Sequence, residues 1–187
     1  MMTSRLLTMF VLVGFLGGCV SYKTVWNHGG YFTDAESSAF RYSGANRDFR
    51  TAVVGNPFDA PRAETERAVI AAMKGHDKGM DTNFTLTPRT QYKNNHIVMM
   101  FNPPRYHAAK GACNTSGDHR GRNKGGDTVL AAIYCDGDRL VYAVAASRSA
   151  TKSPSDPQFR RFVSELMDYF VPQNSMTDDS KNSGDGD

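Results

Sequence analysis

The chain has 187 residues, of which 40% are hydrophobic, so its length fits one folded domain and excludes a second sizeable core. The formal net charge at pH 7 is +3, but residues 173–187 hold four aspartates against one lysine. The rest of the chain is therefore more basic than the whole, which suits contact with anionic lipid or glycan surfaces.

The first residues have the order of an export signal. Arg5 supplies a positive charge, and residues 6–15 form an uncharged, mostly apolar run. A basic start followed by an apolar core of about 7 to 15 residues is typical of a signal peptide. The run is too short to span a bilayer, which takes roughly 20 apolar residues, because Ser21 and Lys23 arrive within that length.

The apolar run ends in Leu16-Gly17-Gly18-Cys19, which resembles the lipobox of bacterial lipoproteins. The resemblance implies that residues 1–18 are removed, that Cys19 carries the lipid, and that the mature protein works in the cell envelope. The alternative is an ordinary cleaved signal followed by a free cysteine. Val20 and Ser21 lack the aspartate that retains some lipoproteins at the inner membrane, so the resemblance favours the outer membrane, facing the periplasm. Nucleic acid is a poor partner there.

The cysteine count agrees with this location. Three cysteines leave an exported protein with an unpaired thiol, whereas lipidation of Cys19 leaves Cys113 and Cys135 as a pair. In an oxidising compartment, a disulfide closing a loop of about 22 residues would stabilise the fold by roughly 3 kcal/mol. The alternative is two buried free thiols.

The segment 19–50 is expected to be a tether, but its composition is unusual for a spacer. Residues 22–42 within it hold six of the chain's 20 aromatic residues: Tyr22, Trp26, Tyr31, Phe32, Phe40 and Tyr42. Disordered linkers are poor in aromatics, so we expect part of this segment to pack. The folded body is the favoured surface; the membrane interface and a partner are the alternatives.

The secondary-structure signals concentrate between residues 51 and 172. Residues 51–54, 84–87 and 97–101 predict strands, and the uninterrupted apolar run 97–101 is expected in the centre of a sheet. A helix is predicted between the first two strands, capped by Asp59 and ended by Gly75. Its expected buried face is Thr65, Val69, Ala72 and Met73.

The second half of the body predicts a hairpin and a helix. Residues 129–135 and 140–146 flank a glycine-containing turn at 136–138, which is typical of a β-hairpin. Ser155 or Asp156 would cap the last helix, and Pro157 would open it. Apolar residues follow at spacings of three and four: Phe159, Phe162, Val163, Leu166, Tyr169 and Phe170.

This order predicts an α+β fold, with a single mostly antiparallel sheet of four or five strands and two helices packed on one face. The expected organisation is a signal peptide at 1–18, an aromatic-rich tether at 19–50, the α+β domain at 51–172 and a disordered acidic tail at 173–187. Val54-Gly55-Asn56-Pro57-Phe58 and Phe101-Asn102-Pro103-Pro104 resemble segments of uncharacterised proteobacterial envelope lipoproteins, over residues 50–171. That resemblance implies no activity and no site residue.

One loop has the composition of an anion site. Between Cys113 and Gly126, Arg120, Arg122 and Lys124 alternate with glycine and small polar residues, so side chains and backbone amides would cradle a phosphate or carboxylate. The alternative is a solvated loop tethered by the disulfide, because phosphate loops normally open a helix and this one precedes a strand.

Two patches of the sequence combine a histidine with neighbouring aspartates, the residue types found in metal and catalytic sites. His76 lies near Asp77 and Asp81, and His119 follows Asp118. Neither patch places two ligands at i, i+4 on a helix or supplies a third ligand, so each is predicted to be a polar turn, with no metal or cofactor. His96 and His107 are similarly predicted to be edge or loop residues.

Two common hydrolase signatures are missing from the sequence: it has no Gly-x-Ser-x-Gly and no His-Glu-x-x-His. The sequence therefore predicts a lipid-anchored envelope lipoprotein that acts as a non-enzymatic binding or interaction module, contacting other envelope proteins or the cell wall. One alternative is an envelope hydrolase that uses His76 or His119 with an aspartate. Another is an anionic glycan or lipid-binding module that uses the basic loop residues Arg120, Arg122 and Lys124.

Overall fold

The computed structural model describes residues 20–26, 32–103, 108–114, 127–149 and 151–173. The signal segment 1–18, the lipidation candidate Cys19 and nearly all of the tail lie outside this range. The strands are β1 (Val20–Trp26), β2 (Asp48–Val54), β3 (Asn83–Thr85), β4 (Asn95–Phe101), β5 (Asp127–Asp136) and β6 (Arg139–Ser149). The helices are α1 (Asp34–Gly44), α2 (Arg62–Met73) and α3 (Pro157–Phe170), and a 3₁₀ segment covers Ala108–Asn114.

The six strands form one sheet in the order β1-β6-β5-β4-β2-β3. The pairs β1–β6, β6–β5 and β5–β4 are antiparallel, whereas β2 runs parallel to β4 and to β3. Every residue of β4 is buried, as the uninterrupted apolar run 97–101 predicts for most of the strand, and the burial extends to Asn95 and His96. The predicted α+β class with a mostly antiparallel sheet is confirmed, and the structure adds β1 and α1 to the predicted elements.

Different elements pack on the two faces of the sheet. All three helices contribute to one core cluster, which takes Leu130, Ala132 and Tyr134 from β5. The alternate residues of β5, including Ile133 and Cys135, face a second cluster to which the 3₁₀ segment contributes. This is the period-two alternation expected of a strand buried on both faces.

The disulfide predicted from the cysteine count is present. Cys113, in the 3₁₀ segment, is bonded to Cys135 of β5, with a Cα–Cα distance of 5.7 Å. The bond lies in the second cluster, so it fastens the 3₁₀ segment to the sheet face opposite the helices.

Helix α1 lies within the aromatic segment 19–50. Thr33 caps it: the Thr33 hydroxyl accepts from the Glu36 backbone, and the Glu36 carboxylate accepts from the Thr33 backbone. Phe40 is fully buried, and Phe32 packs against the same core. The expectation that part of this segment packs on the body is therefore confirmed for these two aromatics.

The other two helices begin and pack largely as predicted. Asp156 caps α3, and Thr65, Val69, Ala72 and Met73 are the buried residues of α2. The predicted cap of α2 is wrong: its N-cap is Pro61, with no side-chain hydrogen bond, so Asp59 is not the cap. On α3, Met167 is buried while Tyr169 is 43% exposed. Within the described ranges, none of the helices has both the length and the apolarity needed to cross a bilayer.

Candidate binding cleft

A cleft of ≈ 360 Å³ opens between α1, the loop that precedes β4, and the hairpin of β5 and β6. We call it the tyrosine cleft. Its lining consists of Ala35, Glu36, Ala39, Tyr42, Ser43, Tyr92, Lys93, Asn95, Tyr134, Asp136, Arg139 and Val141. The volume lies at the lower end of the range of about 300–1,000 Å³ typical of small-ligand sites.

At the floor of the cleft, a chain of hydrogen bonds runs from Asn95 through Tyr134 and Ser43 to the Ala39 carbonyl. The Asn95 amide donates to the Tyr134 hydroxyl at 2.7 Å, and the Ser43 hydroxyl donates to the Ala39 carbonyl at 2.7 Å. Because the Ser43 proton is used, the Tyr134 hydroxyl donates to Ser43 Oγ across 3.3 Å. Burial is the main cause that raises the pKa of Tyr134, so this phenol keeps its proton at neutral pH and serves as a fixed part of the floor.

Tyr42, Tyr92 and Lys93 lie at the mouth of the cleft, and Arg47, which does not line the cleft, lies beside it against the two tyrosine rings. The Tyr42 and Tyr92 rings meet edge to face, with their centroids 4.9 Å apart. Arg47 Cζ lies 5.5 Å from the Tyr42 centroid and 5.4 Å from that of Tyr92, and Lys93 Nζ lies 5.1 Å from the Tyr92 centroid. These distances are those of cation–π contacts. Tyr42 is nevertheless 60% exposed, so most of its ring faces solvent.

Asp48 holds the loop that carries Tyr92 and Lys93. Its carboxylate accepts hydrogen bonds from the backbone N–H groups of Arg89, at 2.6 Å, and Thr90, at 3.3 Å. The Arg89 N–H is the largest of several contacts that lower the pKa of Asp48, so the carboxylate stays ionised at neutral pH. The loop is thereby fastened to the first residue of β2 at a point two residues before Tyr92.

The predicted anion-binding residues Arg120, Arg122 and Lys124 lie outside the described residues, as do Asp118 and His119. The structure therefore places none of them relative to the tyrosine cleft. Their role stays a prediction from sequence.

His76 has a partner that the sequence did not indicate. Its Nδ1 lies 2.7 Å from the Asp168 carboxylate of α3, whereas the neighbouring Asp77 accepts hydrogen bonds from the backbone N–H groups of Gly79 and Thr82. Asp77 thus closes a polar turn, as the simpler interpretation of this patch predicts. The His76–Asp168 contact joins the segment after α2 to α3.

His96 is neither an edge nor a loop residue. It lies within β4, is 7% exposed, and its Nδ1 is 2.9 Å from the Asn94 carbonyl, which it can only approach as a donor. His107 lies outside the described residues. In the part of the chain that the structure describes, no three His, Cys, Asp or Glu side chains cluster as metal ligands, and this includes the patch around His76 and Asp81.

No family model and no curated protein matches this chain. Among solved structures, it is similar to the PelC dodecamer from Paraburkholderia phytofirmans and to a single-substitution variant of that dodecamer. Each comparison gives 9% sequence identity and a TM-score of 0.42, and covers 84% of this chain and 99% of the other. At this distance no site residue is carried over.

Proposed function

We propose that this protein is a lipid-anchored lipoprotein of the cell envelope, facing the periplasm, and that it acts as a binding module through the tyrosine cleft. The observation that carries the binding role is the exposed Tyr42 ring beside Tyr92, Arg47 and Lys93. A large, half-solvated aromatic surface backed by fixed cations is typical of a recognition surface, because it offers contact area at little cost in side-chain entropy.

The two carboxylates that line the cleft favour binding over catalysis, since each already has a partner in the protein. Glu36 Oε2 accepts from the Thr33 backbone and hydroxyl, both at 2.9 Å, and Asp136 is ion-paired with Arg139 at 2.9 Å. A general acid or base must instead be able to reach a proton on the substrate. Those two carboxylates shape the cleft and leave its aromatic mouth as the part that meets a ligand.

The anchor has a direct test. Cells grown with labelled palmitate should incorporate the label into the wild-type protein and not into a Cys19→Ser variant, which should also leave the membrane fraction. The matched control is the Cys113→Ala/Cys135→Ala double variant, which removes the other two cysteines and should keep the label. A mature amino terminus elsewhere than residue 19, or an unmodified Cys19 thiol in mass spectra, would contradict the proposal.

The cleft has a separate test in intact cells. A photo-crosslinking phenylalanine analogue in place of Tyr42 should give covalent adducts with an envelope component. The same analogue in place of Tyr169, which is also exposed but lines a different cleft, should give few. Adduct yields that are equal at the two positions, or absent at both, would remove the binding role from the tyrosine cleft.

A further inference from the structure

Lys93 at the mouth of the tyrosine cleft and Arg47 beside it interact with neutral groups. Arg47 Nε donates to the Ala45 carbonyl at 3.1 Å, and its guanidinium lies over two tyrosine rings. The Lys93 ammonium lies over the Tyr92 ring, 5.1 Å from its centroid. Among the described residues, neither cation forms an ion pair with a carboxylate. Both positive charges are therefore available to an anionic ligand.

The acidic groups around the cleft offset only part of this charge, since Glu36 and Asp136 are two carboxylates against the three cations Arg47, Lys93 and Arg139. Glu36 is held in the cap of α1, and Asp136 is paired with Arg139. Asp136 is the acidic group whose charge acts on Lys93, but the two do not form an ion pair. A ligand carboxylate at the mouth would thus form ion pairs with Arg47 and Lys93, which make none with the described carboxylates, and such charge-assisted contacts are stronger than neutral ones.

The exposed Tyr42 ring further restricts the chemical class of the ligand. An open ring such as that of Tyr42 is suited to a flat, amphipathic partner that presents C–H groups to the ring and hydroxyls to water. A sugar ring has this character, and a uronic acid adds a carboxylate at its edge. The cleft is open at the surface, so it can hold a short stretch of a longer polymer.

We propose that the ligand of the tyrosine cleft is an acidic glycan, with a sugar ring stacked on Tyr42 and its carboxylate bound by Arg47 and Lys93. This inference rests on the proposed binding function and goes beyond it by naming the ligand's chemistry. It also assigns acidic-glycan recognition to residues other than Arg120, Arg122 and Lys124, the anion-binding residues predicted from the sequence.

The test compares a charged probe with a neutral one of the same shape. The full-length lipoprotein, in detergent micelles, is titrated with trigalacturonic acid and with its methyl ester in a calorimeter. Esterification removes the charge and keeps the sugar rings, so the ester should bind about tenfold more weakly, the loss expected when charge-assisted contacts disappear. Raising the salt concentration should weaken binding of the acid and leave the ester unchanged.

Substitutions in and beside the cleft test which side chain contacts the sugar ring and which contacts the carboxylate. Tyr42→Ala should weaken both probes, whereas Arg47→Gln and Lys93→Gln should weaken the acid alone, each by about tenfold. The matched controls are Tyr169→Ala and Arg67→Gln, which change an exposed tyrosine and an exposed arginine outside the cleft. Both controls should bind the acid as the wild type does.

Three results would overturn the proposal: equal affinity for acid and ester, no loss with Arg47→Gln and Lys93→Gln, or no binding of either probe. A loss seen only when Arg120, Arg122 and Lys124 are changed to alanine would also overturn it, by moving the acid to the basic loop. If crosslinking through position 42 persists in cells despite such a result, the ligand class is wrong and the binding function of the cleft stands.

Discussion

Replacing Phe40 by alanine is expected to lower the free energy of unfolding by about 3–5 kcal/mol, the usual cost of removing a fully buried phenylalanine. Phe40 is 0% exposed, and its ring centroid lies 5.1 Å from that of Phe49, 5.0 Å from Tyr134 and 5.6 Å from Phe170. It joins α1 to β2, β5 and α3, so its loss leaves a cavity that none of these elements can fill alone. Urea unfolding followed by circular dichroism measures the change.

The control for this experiment lies two residues further along the same helix. Tyr42→Ala removes an aromatic ring that is 60% exposed, and should cost about 1 kcal/mol or less. Phe40→Leu keeps most of the apolar volume and should cost less than about 1.5 kcal/mol, which keeps the comparison measurable if the alanine variant fails to fold. If Phe40→Ala costs no more than Tyr42→Ala, α1 is not part of the core.

The elements that the sequence predicts well are those whose pattern is local. An unbroken apolar run predicts the buried strand β4, and spacings of three and four predict the buried faces of α2 and α3. The hairpin of β5 and β6 follows from a short turn between two β-rich runs. In each case the residues that decide the structure lie within one element or beside it.

For helix α1, the position of the segment in the sequence and its capping residues predict different structures. Proximity to Cys19, the proposed lipidation site, makes its segment resemble a tether, yet Thr33 and Glu36 have the spacing of a capping box, which is a signature of a helix start. The pairing of β1 with β6 has no such signature, because it depends on two segments separated by most of the chain.

The tyrosine cleft could not be predicted from sequence for the same reason. Tyr42 and Arg47 lie at the end of α1 and just after it, whereas Tyr92 and Lys93 lie in a polar loop with no periodicity. Their contact requires the loop to be fastened to Asp48, more than 40 positions earlier in the sequence. The His76–Asp168 pair joins residues 92 positions apart, so no local pattern of the sequence predicts it either. The disulfide was predicted because counting cysteines requires no knowledge of the fold.

Loss of the disulfide is expected to reduce the free energy of unfolding by about 3 kcal/mol, because the bond closes a loop between residues separated by 22 positions and restricts the unfolded chain. The Cys113→Ala/Cys135→Ala double variant measures this with little change in buried volume. Its urea midpoint should fall below that of the oxidised wild type. The wild type treated with reductant should fall to the level of the double variant.

The m-value, which is the slope of the unfolding transition, distinguishes an effect of the disulfide on the unfolded state from an effect on the native state. If the bond acts mainly on the unfolded state, its removal lets the unfolded chain expand and expose more surface, so the m-value should rise as the midpoint falls. If the bond instead acts by holding the 3₁₀ segment against the sheet, the native state loosens and the m-value should fall. Reductant should leave the double variant unchanged. A wild-type midpoint that does not respond to reductant would contradict the bond's contribution to stability.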